Sequence, residues 1–230
     1  MKVVIIGNSH LDQFKPNRLL PNENILQFPG ASIRGLRNDN SFTGLNRKIK
    51  DSCADAYIFH LGLVDIEFGY YYKSYLINEK INKQEFIKDT TSIYLNYLKS
   101  LNTNKIIIVG LNPTVITDNR HIFKVNFEDN PNNTLQETGK GNNEVTYEDL
   151  SHIYNDTIEE RNIFLKDMNE ALKIMCNENN FIFYDLWDEL FDNDKMYIKN
   201  IYIPPVVDHH LVANETIYNK LQDMINLINC

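Results

Sequence analysis

Glycine is scarce in this chain, nine residues in 230, and none of the nine falls in a phosphate-cradling pattern. Gly139-Lys140-Gly141 comes nearest, but the G-x-x-x-x-G-K-[ST] spacing is absent and no apolar run precedes it. No G-x-G-x-x-G follows the first apolar run either, which argues against a dinucleotide-binding or flavodoxin-like nucleotide domain. Cysteine is equally rare. Cys53, Cys176 and Cys230 cannot all pair within a monomer, form no C-x-x-C, and stand at no zinc-ligand spacing with a histidine. Long apolar runs are missing too: no stretch approaches a membrane span, and Val3–Ile6 is too short for a secretory leader. The expectation is a cytoplasmic chain that neither crosses nor anchors to a membrane. Positive charge is also in deficit. Lys and Arg number 23 against 31 Asp and Glu, a net charge of −8, which disfavours a surface that tracks nucleic-acid phosphates.

What is present is a globular composition, 43% hydrophobic and 11% aromatic, in a length suited to one large domain spanning residues 1–230. Short apolar runs rich in β-branched residues recur at Val3–Ile6, Ile25–Phe28, Ala56–Leu61, Ile106–Val109 and Phe181–Tyr184. Each reads as a strand buried on both faces. Helical periodicity fills the intervals. Phe86, Ile87, Thr90, Ile93, Tyr94, Tyr97, Leu98 and Leu101 lie on one helical face. A second helix is predicted to start at the Thr146-x-x-Asp149 capping box, with Leu150, Ile153, Leu165, Met168, Leu172 and Met175 inward. A last one follows Asn214, with Ile217, Leu221, Met224, Ile225 and Ile228 on its core face. This alternation predicts an α/β fold: a three-layer α/β/α sandwich on a short parallel five-stranded sheet. The polar stretch 112–145 reads as a flap over the strand ends.

Ligands in such sheets bind beyond the carboxyl ends of the strands, so chemistry is sought there. Gly7-Asn8-Ser9-His10 follows the first strand, Pro29-Gly30-Ala31-Ser32 the second, Gly62-Leu63-Val64-Asp65 the third and Gly110-Leu111-Asn112 the fourth. Asp208-His209-His210 precedes the last helix. A serine, an imidazole and a carboxylate brought to one sheet edge are what nucleophilic acyl transfer requires. The serine alone has a plainer reading as a helix cap, and it is the set that points to catalysis. His10 is expected to point away from the site, His60 to be a satisfied core residue, and His121 and His152 to lie on the surface. In an extended segment His209 and His210 would point to different sides, and no H-E-x-x-H accompanies them, so no metal and no cofactor is expected. Phe68, Tyr70, Tyr71, Tyr72 and Tyr75 read as helix packing, with a sugar-stacking wall as the rival reading.

In their order, these blocks resemble those of the SGNH or GDSL hydrolases, and the match extends over nearly the whole chain. The resemblance implies a flavodoxin-like SGNH-hydrolase fold and a serine ester hydrolase or acyl transferase working on an acyl group, acetyl above all, of a sugar or glycan. It implies Ser9 as nucleophile, His210 as base with His209 close behind, Asp208 as the residue that orients the base, and an oxyanion contact at Gly30. Three positions depart from the pattern. Asn8 replaces an aspartate, Val64 replaces the asparagine whose amide helps to hold the oxyanion, and the late block is one residue short. Asn112 is nominated as the substitute donor. Val64 also motivates the alternative: a catalytically weakened module that binds glycan.

Overall fold

The computed structural model describes residues 1–38, 43–129 and 145–229. Five parallel strands form the central sheet: β1 (Val3–Gly7), β2 (Ile25–Gln27), β3 (Ala56–His60), β4 (Ile106–Val109) and β5 (Ile182–Tyr184). Their order is β2-β1-β3-β4-β5. All four pairings are parallel, and β1 lies against β3 from Val3↔Ala56 to Gly7↔His60. The five apolar runs are thus the five strands, but only β1, β3 and β4 are buried on both faces; β2 and β5 stand at the sheet edges and are partly exposed.

Period-two alternation divides each strand between two cores. Val4, Ile6, Tyr57, Phe59, Ile106 and Ile108 face one side, under α1 (Leu45–Ser52), α3 (Lys83–Lys99) and α5 (Ile158–Glu178). Val3, Ile5, Ala56, Ile58, Ile107 and Val109 face the other, under the 3₁₀ turn Ser9–Phe14, the short α6 (Trp187–Leu190) and α7 (Glu215–Asn229). Helices on both faces make the three-layer sandwich. Two further helices, α2 (Tyr70–Leu76) and α4 (Asn119–Phe127), stand at the carboxyl end of the sheet. A small antiparallel ladder joins Phe191–Asp192 to Tyr197–Ile198. Among the described residues no helix is long and apolar enough to cross a membrane.

Two sequence expectations need correction. The Thr146/Asp149 box forms, with Thr146 Oγ1 donating to Asp149 Oδ2 at 2.7 Å, but it closes only a turn. The long helix starts at Ile158, behind a second box in which Glu160 N donates to Thr157 Oγ1 at 3.1 Å and Thr157 N to Glu160 Oε2 at 2.7 Å. Between the two, Asp156 is pinned by Lys80, Lys83 and the Tyr71 hydroxyl, and this corner interrupts the helix. The described part of 112–145 is also more than a flap. Thr114, Val115 and Ile116 are buried, and α4 packs Ile122, Phe123 and Phe127 inward. Residues 130–144 of that expected flap lie outside the described residues.

Candidate active site

The turn after β1 is shaped by contact. A Cβ on Gly7 would stand 3.0 Å from the His60 carbonyl oxygen, so a side chain there would crowd the neighbouring strand. Asn8 then caps the next turn, its Oδ1 accepting the His10 N–H at 3.0 Å. Its Nδ2 donates to the Ala31 carbonyl at 3.4 Å and so ties the first loop to the second. Asp65 ties the third loop to the second: Ile33 N donates to its Oδ2 at 2.7 Å and Arg34 N to its Oδ1 at 3.1 Å. Burial pushes the Asp65 carboxyl up to about 6 despite these bonds. Gly30 turns through a positive φ of 73°, which favours glycine. Three loops distant in sequence are therefore laced together at the β1/β3 crossing, the topological switch point of this strand order.

The loop before α7 completes the site. Asp208 Oδ1 accepts the backbone N–H of His209 at 2.6 Å and of His210 at 3.2 Å, and stands 2.8 Å from His210 Nδ1. Burial would raise the Asp208 pKa, but the His210 ring and the two N–H groups outweigh it and hold the carboxyl below its ordinary value. His210 Nε2 is buried and has no partner. With Nδ1–H donated to Asp208, Nε2 carries the lone pair. His210 lines a cavity of 590 Å³ together with Ser9, Pro29, Gly30, Val64, Phe68, Gly69, Tyr72, Val125, Asn126 and His209. Ser9 and His210 thus meet on one cavity although they come from opposite ends of the chain.

No known family's sequence profile matches this chain, and no curated protein does. Solved structures do. A GDSL-like lipase from Bacteroides thetaiotaomicron is 13% identical with a TM-score of 0.52, covering 99% of this chain and 87% of its own. A variant of an acetyl-xylooligosaccharide esterase from Geobacillus is 11% identical with a TM-score of 0.51, covering 100% and 97%. The chain has the SGNH/GDSL hydrolase fold.

Within that SGNH fold, several side chains depart from the sequence reading. His10 points in. Its ring is buried, with Nδ1 2.9 Å from Asn8 Oδ1 and Nε2 2.9 Å from the His209 carbonyl oxygen, because the Asn8 cap turns it back across the loop. His121 is half-buried and leaves the surface role expected of it, since α4 sets its Nε2 3.1 Å from His209 Nδ1. His60 is in the core as expected, but neither ring nitrogen has a partner, and burial lowers its pKa to about 4. His209 and His210 share one side: the segment bends, and their rings stand 4.1 Å apart. Asn112 is buried beneath the site, donates to Gln13 Oε1 at 2.7 Å, and does not line the cavity. Val64 does line it.

The aromatic cluster divides between the two readings made of it. A π-helical turn, Asp65–Gly69, carries Phe68 into the cavity wall, edge-on to His209 at 5.1 Å between ring centres. Tyr72 joins that wall, whereas Tyr70 and Tyr71 are core residues and Tyr75 packs on Phe127. Val125 and Asn126 escaped the sequence reading because they lie on a helix in a stretch whose polarity suggested a loop. Asn126 Nδ2 donates to the Phe68 carbonyl at 3.2 Å and to the Tyr154 hydroxyl oxygen at 3.1 Å.

Proposed function

We propose that this chain is a serine esterase, or acyl transferase, that takes an acyl group, acetyl above all, from a sugar or glycan. The observation that carries this is His210. Its Nδ1 is held by Asp208, its Nε2 is left unpartnered, and the residue lines the same cavity as Ser9. In this reading Ser9 Oγ attacks the acyl carbonyl while His210 Nε2 takes its proton. Asp208 holds the ring's tautomer and stabilises the imidazolium. The tetrahedral oxyanion rests on the backbone N–H groups of Ser9 and Gly30. His210 returns the proton to the leaving sugar hydroxyl, and water or a second alcohol then takes the acyl group from Ser9. The Phe68 and Tyr72 wall supports a sugar as the acyl carrier, because ring faces stack on the apolar faces of pyranoses, and the acetyl-xylooligosaccharide esterase shares the fold.

The test is hydrolysis of p-nitrophenyl acetate and of acetylated xylo-oligosaccharides by wild type and Ser9→Ala at matched thermal stability. Loss of activity in Ser9→Ala supports the reading, and equal activity in both overturns it. Val64 in the cavity wall sustains the second reading, a weakened glycan-binding module, since valine offers no amide donor. A Val64→Asn variant that turns over faster than wild type, on a wild-type background that binds glycan without hydrolysing it, would favour the module.

A further inference from the structure

Helix α4 brings Val125 and Asn126 to the cavity wall, and neither has a part in the proposed chemistry. His121 stands one turn before Val125, on the same helical face. Its Nε2 meets His209 Nδ1 at 3.1 Å, which joins α4 to the loop of the proposed base. One nitrogen must donate and the other accept, so at least one of the two rings is neutral. Burial lowers the pKa of His121 and brings that of His209 to about 4, which leaves both rings neutral near pH 7. Further along α4, Asn126 Nδ2 donates to the Phe68 carbonyl at 3.2 Å. The Phe68 ring in turn packs edge-on against His209, 5.1 Å between ring centres. His121, His209, Phe68 and Asn126 thus close a ring of contacts that joins α4, the π-helical turn and the base loop.

We infer that His121 is a positioning residue that fixes the α4 wall of the cavity for an extended acyl carrier. The base loop has anchors of its own. Asp208 Oδ1 accepts the His209 and His210 N–H groups and stands 2.8 Å from His210 Nδ1, while His10 Nε2 stands 2.9 Å from the His209 carbonyl oxygen. Loss of the His121 contact therefore loosens α4 against that loop and leaves His210 in place. The acyl group sits beside Ser9 and His210, and a cavity of 590 Å³ leaves most of its space to the sugar that carries it. Val125 and Asn126 line that cavity together with Phe68 and Tyr72, the wall proposed to receive the sugar. The consequence is weaker binding of the carrier rather than a slower chemical step. The carrier's identity rests on the proposed function, whereas the His121–His209 contact does not.

The test compares wild type, His121→Ala and His121→Gln, each checked for folding by thermal melting, on acetylated xylo-oligosaccharides and on p-nitrophenyl acetate. In His121→Ala the KM for the oligosaccharides should rise about fivefold, the worth of one net hydrogen bond, with kcat changed much less. The KM for p-nitrophenyl acetate, which has no sugar chain to seat, should rise less. The glutamine amide can take the place of His121 Nε2, so His121→Gln should recover most of the loss. The inference is overturned if folded His121→Ala keeps the wild-type KM, if kcat falls as far as KM rises, or if both variants are equally impaired. Calorimetry with the same oligosaccharides separates this from failure of the esterase reading. A wild type that hydrolyses no ester but binds them, more weakly in His121→Ala and again tightly in His121→Gln, keeps the role of His121 and removes the esterase. A wild type that neither hydrolyses nor binds them removes both. An active wild type whose KM does not depend on His121 keeps the esterase alone.

Discussion

His209 and His210 differ in which of their nitrogens is engaged. In His210, Nδ1 is held by Asp208 and Nε2 is unpartnered. In His209, Nδ1 faces His121 and its carbonyl accepts from His10. His210→Asn should therefore lower kcat by about 10³ or more, and His209→Asn by much less, in steady-state assays of ester hydrolysis. The reverse ranking would move the base by one residue. His10 acts at one remove. Its buried ring bridges the nucleophile turn and the loop of the proposed base, 199 residues apart in sequence, through two 2.9 Å contacts. It is a positioning residue. His10→Leu should lower kcat by about tenfold or more at little change in KM, and His10→Gln, whose amide can still donate to the His209 carbonyl, should recover part of the loss. Equal losses in both variants, tracking lost thermal stability, would make His10 a packing residue only.

At the scale of single elements, local chemistry is readable as stability. Thr157 caps α5 through both halves of its box, so Thr157→Ala should cost about 1 kcal/mol in denaturant unfolding, whereas Thr146→Ala, whose box closes only an exposed turn, should cost less. The π-helical turn contains Glu67, which is buried. Burial raises its pKa from 4.5 to about 7, against a hydrogen bond to Thr114 and the charge of Arg161. The folded chain therefore holds a proton on Glu67 that the unfolded chain releases above pH 4.5. The stability this contributes is complete below that pH and is lost as pH rises through about 7. Glu67→Gln cannot ionise. It should be more stable than wild type at pH 8, with the advantage shrinking steadily toward pH 4.5, as urea melts across that range would reveal. An advantage that is constant with pH would place the effect in packing instead.

For the whole molecule, the sheet separates two cores that share no side chains. Leu221 is buried in one and Leu165 in the other. Each mutated to Ala should cost about 2–5 kcal/mol. Because the sheet stands between them, the double variant should show the sum within about 0.5 kcal/mol. A coupling well above that in a double-mutant cycle would mean the sheet transmits strain between layers.

The strands and the α/β class were legible because β1, β3 and β4, buried on both faces, have to be continuous apolar runs, and the partly exposed edge strands β2 and β5 kept short apolar runs as well. The last helix was legible for a similar local reason: Asn214 Oδ1 accepts from Ile217 N, and Ile217, Leu221, Met224 and Ile228 are buried on the expected face. The start of α5 was not. Thr146-x-x-Asp149 and Thr157-x-x-Glu160 carry the same local signature, and only the burial of Asp156 among Lys80, Lys83 and Tyr71 decides which one opens the helix. The same division runs through the site. Sequence order alone set Ser9, Gly30, Val64 and His210 at strand and loop ends that converge on one cavity. It misplaced His10 and His121, read as pointing away and lying on the surface, and Asn112, read as an oxyanion donor, whose amide is engaged by Gln13. Backbone periodicity and turn chemistry act within a few residues and are written in the chain. The direction of a buried polar side chain is set by whichever distant oxygen or nitrogen is within reach, and that is decided only when the layers close.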